Sequence, residues 1–225
     1  MVTGREITGV GCVGGRFEIS LGDNAVEADR LLVASGRTSN LDDIGLETVG
    51  LDPTMATIDC DEHMRVADGL WAIGDITGRG AYTHIAHYQA AIAVSAILDG
   101  KGAPEADYRA VPNVTFTEPE IGAVGMTEAA AREEGLRVRA GCADLAASPR
   151  GWVHGPGNAG LVKVVEDAES SVLVGATVAG PRAGELLGQL TLAVHARVPT
   201  ASLDTMIYAF PTFYETVGQA LDDLH

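Results

Sequence analysis

Short apolar runs that end in glycine-bearing turns recur along the first half of the chain. Leu70-Trp71-Ala72-Ile73 leads straight into Gly74-Asp75, and Gly78 and Gly80 follow before a long apolar segment over residues 85–98. Such a run, bounded by turn residues, predicts a strand covered on both faces that feeds a helix. Leu31-Leu32-Val33-Ala34, ending at Ser35-Gly36-Arg37-Thr38-Ser39-Asn40, has the same design and predicts a second buried strand. Ahead of it, residues 16–21 alternate, Gly22-Asp23-Asn24 reads as a turn and residues 25–28 begin another strand, which together predict a hairpin. Residues 1–15 hold five glycines and a weak β pattern, and read as one edge element of something larger. Gly9, Gly11 and Gly14 have the GxGxxG spacing but open no helical pattern, so no dinucleotide loop is assigned there. A hairpin without a core partner is the pattern of a chain that begins inside a domain. Residues 41–64 read as loop, broken by Gly45, Gly50 and Pro53.

The texture changes after Asp99-Gly100-Lys101-Gly102-Ala103-Pro104, a linker by composition. Val114-Thr115-Phe116-Thr117 predicts a strand, and Thr127 an N-cap for a helix that runs to Glu134 and closes at Gly135. A strand is expected from Val138, and two more over 161–165 and 173–178, parted by a polar turn over 166–170. Helices are expected over 183–196, 202–208 and 212–224, the last opened by a capping box of Thr212 and Glu215. Strands first and helices after predict an α+β domain with an antiparallel sheet.

Composition narrows the function classes. The chain of 225 residues is 46% hydrophobic, 5% aromatic and carries a formal charge of -16, with 31 acids against 15 Lys and Arg. That charge disfavours nucleic acid and anionic membranes as partners. No apolar run reaches the ~20 residues of a membrane span. Cys12, Cys60 and Cys142 are far apart and odd in number, which reads as free thiols in a reducing cytoplasm and gives no zinc spacing. His84 and His87 lack a carboxylate or cysteine at matching spacing, so no metal site is assigned, and His63, His154 and His195 have no partner that the sequence names.

Four stretches, in order, carry a resemblance. They are Ala28-Asp29-Arg30-Leu31-Leu32-Val33-Ala34-Ser35-Gly36-Arg37-Thr38-Ser39-Asn40, the run from Leu70 to Asp75, the run from Val114 through Thr117-Glu118-Pro119-Glu120 to Glu128, and Ile207 to Glu215. Together they resemble the C-terminal half of the FAD-dependent pyridine nucleotide-disulfide oxidoreductases, the family of dihydrolipoyl dehydrogenase, glutathione reductase and mercuric reductase. The resemblance implies an α/β plus α+β architecture. Residues 1–38 would end an NAD(P)-binding domain, 39–105 form the last segment of a Rossmann-like FAD-binding domain, and 110–225 a dimerisation domain.

Carried over residue by residue, Asp75, after Gly74, would hydrogen-bond the ribityl chain of FAD. Ala81, Tyr82, Thr83 and His84 would run beside the isoalloxazine, where helix N–H groups favour electron density on the reduced ring. Gly36 would approach the nicotinamide cofactor; a plain strand-end turn is its other reading. At the family's catalytic histidine this chain has Phe210, and Tyr208 stands two residues earlier. Phenylalanine cannot carry a proton, and tyrosine, with an ordinary pKa near ~10, is no ready base. Glu215 stands at the family's histidine-orienting glutamate, but without the histidine its structural role in the capping box ranks ahead of a catalytic one. Mercury reduction is disfavoured, because no cysteine follows Cys142.

The leading expectation is the C-terminal portion of a homodimeric, cytoplasmic FAD-dependent NAD(P)H oxidoreductase, paired through residues 110–225. Its small-molecule electron acceptor would be quinone-like, needing no histidine base. The alternatives are a disulfide reductase such as dihydrolipoyl dehydrogenase, and a non-catalytic dimerisation module.

Overall fold

A computed structural model describes residues 2–99 and 102–225. The centre of the expected linker, Gly100-Lys101, lies outside the described residues. The chain divides into two compact units, Met1–Ala56 and Thr57–His225.

In the first unit, β1 (Gly9–Val13), β2 (Arg16–Ser20) and β3 (Ala25–Ala28) form an antiparallel meander. The expected hairpin is present and the glycine-rich opening supplies its edge strand. The GxGxxG spacing falls in β1 and the turn after it. The buried strand expected over residues 31–34 does not form. Leu32 is 90% exposed, Val33 is open as well, and no strand among the described residues pairs with this run. An apolar strand persists only where neighbours satisfy its backbone and cover its faces.

In the second unit, β4 (Arg65–Ala67) and β5 (Leu70–Trp71) make a two-stranded antiparallel ribbon. The Leu70–Ile73 run is therefore a ribbon edge, not a strand covered on both faces, and Ile73 is exposed. α1 (Thr83–Asp99) follows, and Ile92 and Ala93 bury against Met64.

The remainder is α+β. Five antiparallel strands lie in the order β6 (Pro112–Thr115), β7 (Glu120–Gly125), β10 (Val172–Gly180), β9 (Leu161–Asp167), β8 (Val138–Asp144). The expected antiparallel sheet forms, with β7 the strand that the sequence pattern missed. α4 (Ala183–His195) lies against β7 and β10 through a helical stripe of Leu186, Leu187, Leu190, Ala193 and Val194. α6 (Thr216–Asp222) covers β8 and β9 with Val217, Ala220 and Leu221. α2 (Glu128–Glu133) starts at Thr127, whose hydroxyl accepts from Ala130 N–H, as its N-cap pattern predicts. α3 (Pro149–His154) was not anticipated, and α5 (Thr200–Asp204) is shorter than expected.

Two local expectations fail for stated reasons. The polar turn over 166–170 begins only after Asp167, because Glu166 belongs to β9 and is fully buried. Arg139 meets it from β8, with Nε 2.6 Å and Nη2 2.5 Å from Glu166 Oε2, and Thr200 Oγ1 donates to Oε1 at 2.7 Å. A buried carboxylate survives when it is paired and hydrogen-bonded this fully. The capping box also fails. A 3-10 turn, Phe213–Glu215, precedes α6, so Glu215 sits at the N-cap rather than at the third helical position. Thr212 makes no cap bond and donates its proton to Ala209 O at 2.6 Å.

Candidate functional site

Gly74 closes the β5 run with φ 82 and ψ -155, a backbone conformation open essentially to glycine alone. Its N–H donates to Gln89 Oε1 at 2.6 Å, and its carbonyl accepts from Thr77 Oγ1 at 2.8 Å. Gln89 is fully buried, and its amide nitrogen lies 2.9 Å from both Thr77 Oγ1 and Tyr108 Oη. One side chain on α1 thus holds the whole turn that starts with Asp75. Sequence reasoning passed over Gln89. The available signal was a lone polar residue on the stripe of Ile85, Ile92 and Ala93.

The start of α1 faces a cleft of about 590 Å³. Ala81, Tyr82, Thr83 and His84 line it on one side, with Asn113 and Phe116 and, from α4, Leu187 and Thr191 opposite. The rings of Tyr82 and His84 stack at 5.1 Å with planes 10° apart. His84 Nε2 lies 2.9 Å from the Pro112 carbonyl. A carbonyl only accepts, so Nε2 is the donor in this contact. No acid occupies the first turn of α1, which leaves its N-terminal N–H groups a net positive end. Gly36 belongs to the other unit, with φ 107.

The C-terminal segment forms a third feature. Phe210 is 71% exposed and Ile207 almost wholly so. Around them, Tyr214 Oη accepts from Ala209 N–H at 2.7 Å and Tyr208 Oη donates to Leu203 O at 3.0 Å. Burial, followed by the charge of Asp204, raises the Tyr208 pKa above its ordinary value, which removes it further from the role of a base. α3 fixes the segment from outside. The Arg150 guanidinium sits 5.4 Å from the Phe213 ring centre and the His154 ring 5.6 Å from it. Glu215 Oε2 and Thr216 Oγ1 are buried and find no hydrogen-bond partner among the described residues.

Comparison with known proteins accounts for both halves of the chain. Residues 1–93 match the family model described as pyridine nucleotide-disulphide oxidoreductase, and residues 111–221 match the model of that family's dimerisation domain. The chain is 36% identical over 208 residues to dihydrolipoyl dehydrogenase of Staphylococcus aureus and 34% over 209 residues to that of Bacillus subtilis. Each alignment covers 92% of this chain and 44% of the relative, so the chain spans less than half the length of these relatives. Among solved structures, LpdA from Mycobacterium tuberculosis superposes with a TM-score of 0.87 at 26% identity, over 97% of this chain and 48% of that one. RclA from Escherichia coli, described as an HOCl-induced flavoprotein disulfide reductase, superposes with a TM-score of 0.84 at 25% identity, over 97% and 50%. Two family models in tandem, in the order the four sequence stretches prescribe, lead to one conclusion: the chain belongs to the pyridine nucleotide-disulphide oxidoreductase family.

Proposed function

We propose that this chain is the C-terminal part of a homodimeric FAD- and NAD(P)H-dependent disulfide reductase of the dihydrolipoyl dehydrogenase type, paired through residues 110–225. The observation that carries the reading is the Gly74-Asp75 turn. A glycine-only conformation, fixed by Gln89, places Asp75 in the loop that leads to an acid-free helix start at Thr83, which suits a hydroxylated, electron-accepting cofactor. In this reading Asp75 holds the ribityl hydroxyls, and the backbone from Ala81 to His84 lies beside the isoalloxazine, with Gly36 near the nicotinamide. FAD would supply acceptance of hydride and its passage onward as electrons. The dihydrolipoyl dehydrogenase relatives favour a disulfide acceptor over the quinone-like acceptor that Phe210 suggested.

Phe210 keeps a second reading in play, because the side chain at the family's histidine position cannot carry a proton. Glu215 Oε2, buried and with no donor among the described residues, is the group such a histidine would have engaged. An acceptor that needs no base, such as a quinone, follows from that substitution. The flavin-loaded protein that carries this chain tests both, with NAD(P)H oxidation measured against lipoamide and against benzoquinone. Lipoamide turnover that rises at least tenfold in Phe210→His supports the first reading. Quinone turnover with no lipoamide turnover in either protein overturns it in favour of the second. Asp75→Ala should lower flavin content in both cases.

A further inference from the structure

We propose that Glu62, His63 and Glu105 form a surface site for a divalent cation of the zinc or manganese type. One imidazole nitrogen of His63 and one carboxylate oxygen from each glutamate lie within 4.8 Å of one another. The sequence offered no hint of this, because Glu105 lies beyond α1 from the other two. The structure brings the two stretches together through Ala106 N–H, which donates to Glu62 O at 2.8 Å.

The ligand-bearing turn is fixed before any cation arrives. Asp61 Oδ1 accepts from His63 N–H at 2.9 Å and from Arg65 N–H at 2.8 Å. His63 Nδ1 lies 3.2 Å from the Pro104 carbonyl, so Nδ1 donates there and Nε2 is the ring nitrogen assigned to the metal. Engagement of the second ring nitrogen with a carbonyl is what sets the tautomer and orientation of metal-ligating histidines. The imidazole separates this triad from a merely acidic patch. Two carboxylates neutralise a divalent charge, and the nitrogen selects zinc or manganese over the all-oxygen shells of calcium and magnesium. Among the described residues neither glutamate carboxylate enters an ion pair. Water would complete the shell, since both glutamates are exposed and His63 is half-buried.

The site has a structural consequence. The strand of chain that follows Glu105 carries Tyr108, which takes a hydrogen bond from Gln89 and donates to Met64 Sδ at 3.6 Å. A cation there would clip this segment to the 61–65 turn and so brace the residues that hold Gly74.

The test is calorimetric titration of zinc chloride and manganese chloride into the 225-residue chain, its three cysteines alkylated beforehand so that thiols do not compete. We expect one saturable event per chain in the micromolar range. Glu62→Gln and Glu105→Gln should each weaken it at least tenfold, and His63→Gln should abolish it, with circular dichroism unchanged in all three. Absence of saturable binding, binding indifferent to His63→Gln, or magnesium chloride binding as tightly as zinc would each overturn the proposal.

Discussion

Two antiparallel sheets in this chain are built from similar residues and end in opposite conditions. In the five-stranded sheet, β9 and β10 are buried or half-buried at every position but Leu161, and their side chains meet α4 and α6 in a continuous aliphatic core. In the meander of β1 to β3 no residue is buried: Gly9, Phe17, Ile19, Ser20 and Ala28 are half-buried, and Val10, Val13 and Val26 are exposed. Both sheets satisfy their backbones by the same pairing. The difference lies in what covers them. Strand formation is a local property of pattern and turn, whereas burial belongs to the layer laid on top.

The sharpest way to break the contrast is to add a single methyl to each sheet. Gly141 on β8 lies under α6, and a Cβ there would run into the Ala220 carbonyl and stand 3.0 Å from Leu224 N. Backbone cannot move aside as a side chain can, so Gly141→Ala should cost about 3 kcal/mol, at the upper end of overpacking effects. Gly11 on β1 has nothing within 4 Å of the same atom. Gly11→Ala should change stability by less than about 0.5 kcal/mol. Urea denaturation followed by circular dichroism measures both, and equal effects would mean that the meander is covered as tightly as the larger sheet.

A second test concerns the charge inside the covered sheet. Arg139→Met leaves Glu166 fully buried with Thr200 as its one side-chain donor among the described residues. Breaking a buried pair costs roughly 3–5 kcal/mol, and the partial exposure of Arg139 reduces that to about 2 kcal/mol, because water can reach the vacated space. Arg139→Met with Glu166→Leu should recover most of the loss. If the double variant is no better than the single, the pair does not owe its cost to an orphaned charge.

The same contrast explains what could be read from the sequence. The α+β half was largely legible, because α4 buries a 3.6-residue stripe and Thr127 caps its helix by local chemistry alone. Leu31 to Ala34 misled because an apolar run encodes the demand for neighbours and not their presence. Glu166 misled in the opposite sense: a charged residue in an acidic stretch reads as a turn until Arg139, from another strand, is seen beside it. At the candidate site, Asp75 and the 81–84 segment were visible as motif, while Gln89 and the Glu62, His63 and Glu105 group depend on contacts between distant positions. The capping box over Thr212 and Glu215 was a correct spacing on the wrong helix start.

The smallest expected effect sits at the outer surface of the covered sheet. Lys163 on β9 and Arg132 on α2 both reach Glu128, each at 2.6 Å. The Lys163 hydrogen bond first, and the Arg132 bond after it, lower the Glu128 pKa from 4.5 to about 2. A carboxylate whose folded pKa is depressed adds stability that is complete above its unfolded value and is lost as pH falls through the folded one. The contribution should therefore be whole above pH 4.5 and fade between 4.5 and about 2. Carboxyl carbon NMR should place the Glu128 inflection near the lower value, and Lys163→Met should carry it most of the way back up. The meander offers the matching negative control. Arg16 on β2 faces Glu27 and Asp29, each at 3.6 Å, with all three side chains more than half exposed. At that distance and exposure, water screens the interaction almost fully. Arg16→Met should leave the acid limb of the unfolding curve where it was. If Arg16→Met moved that limb as far as Lys163→Met does, cover by a helix would not be what separates the electrostatics of the two sheets.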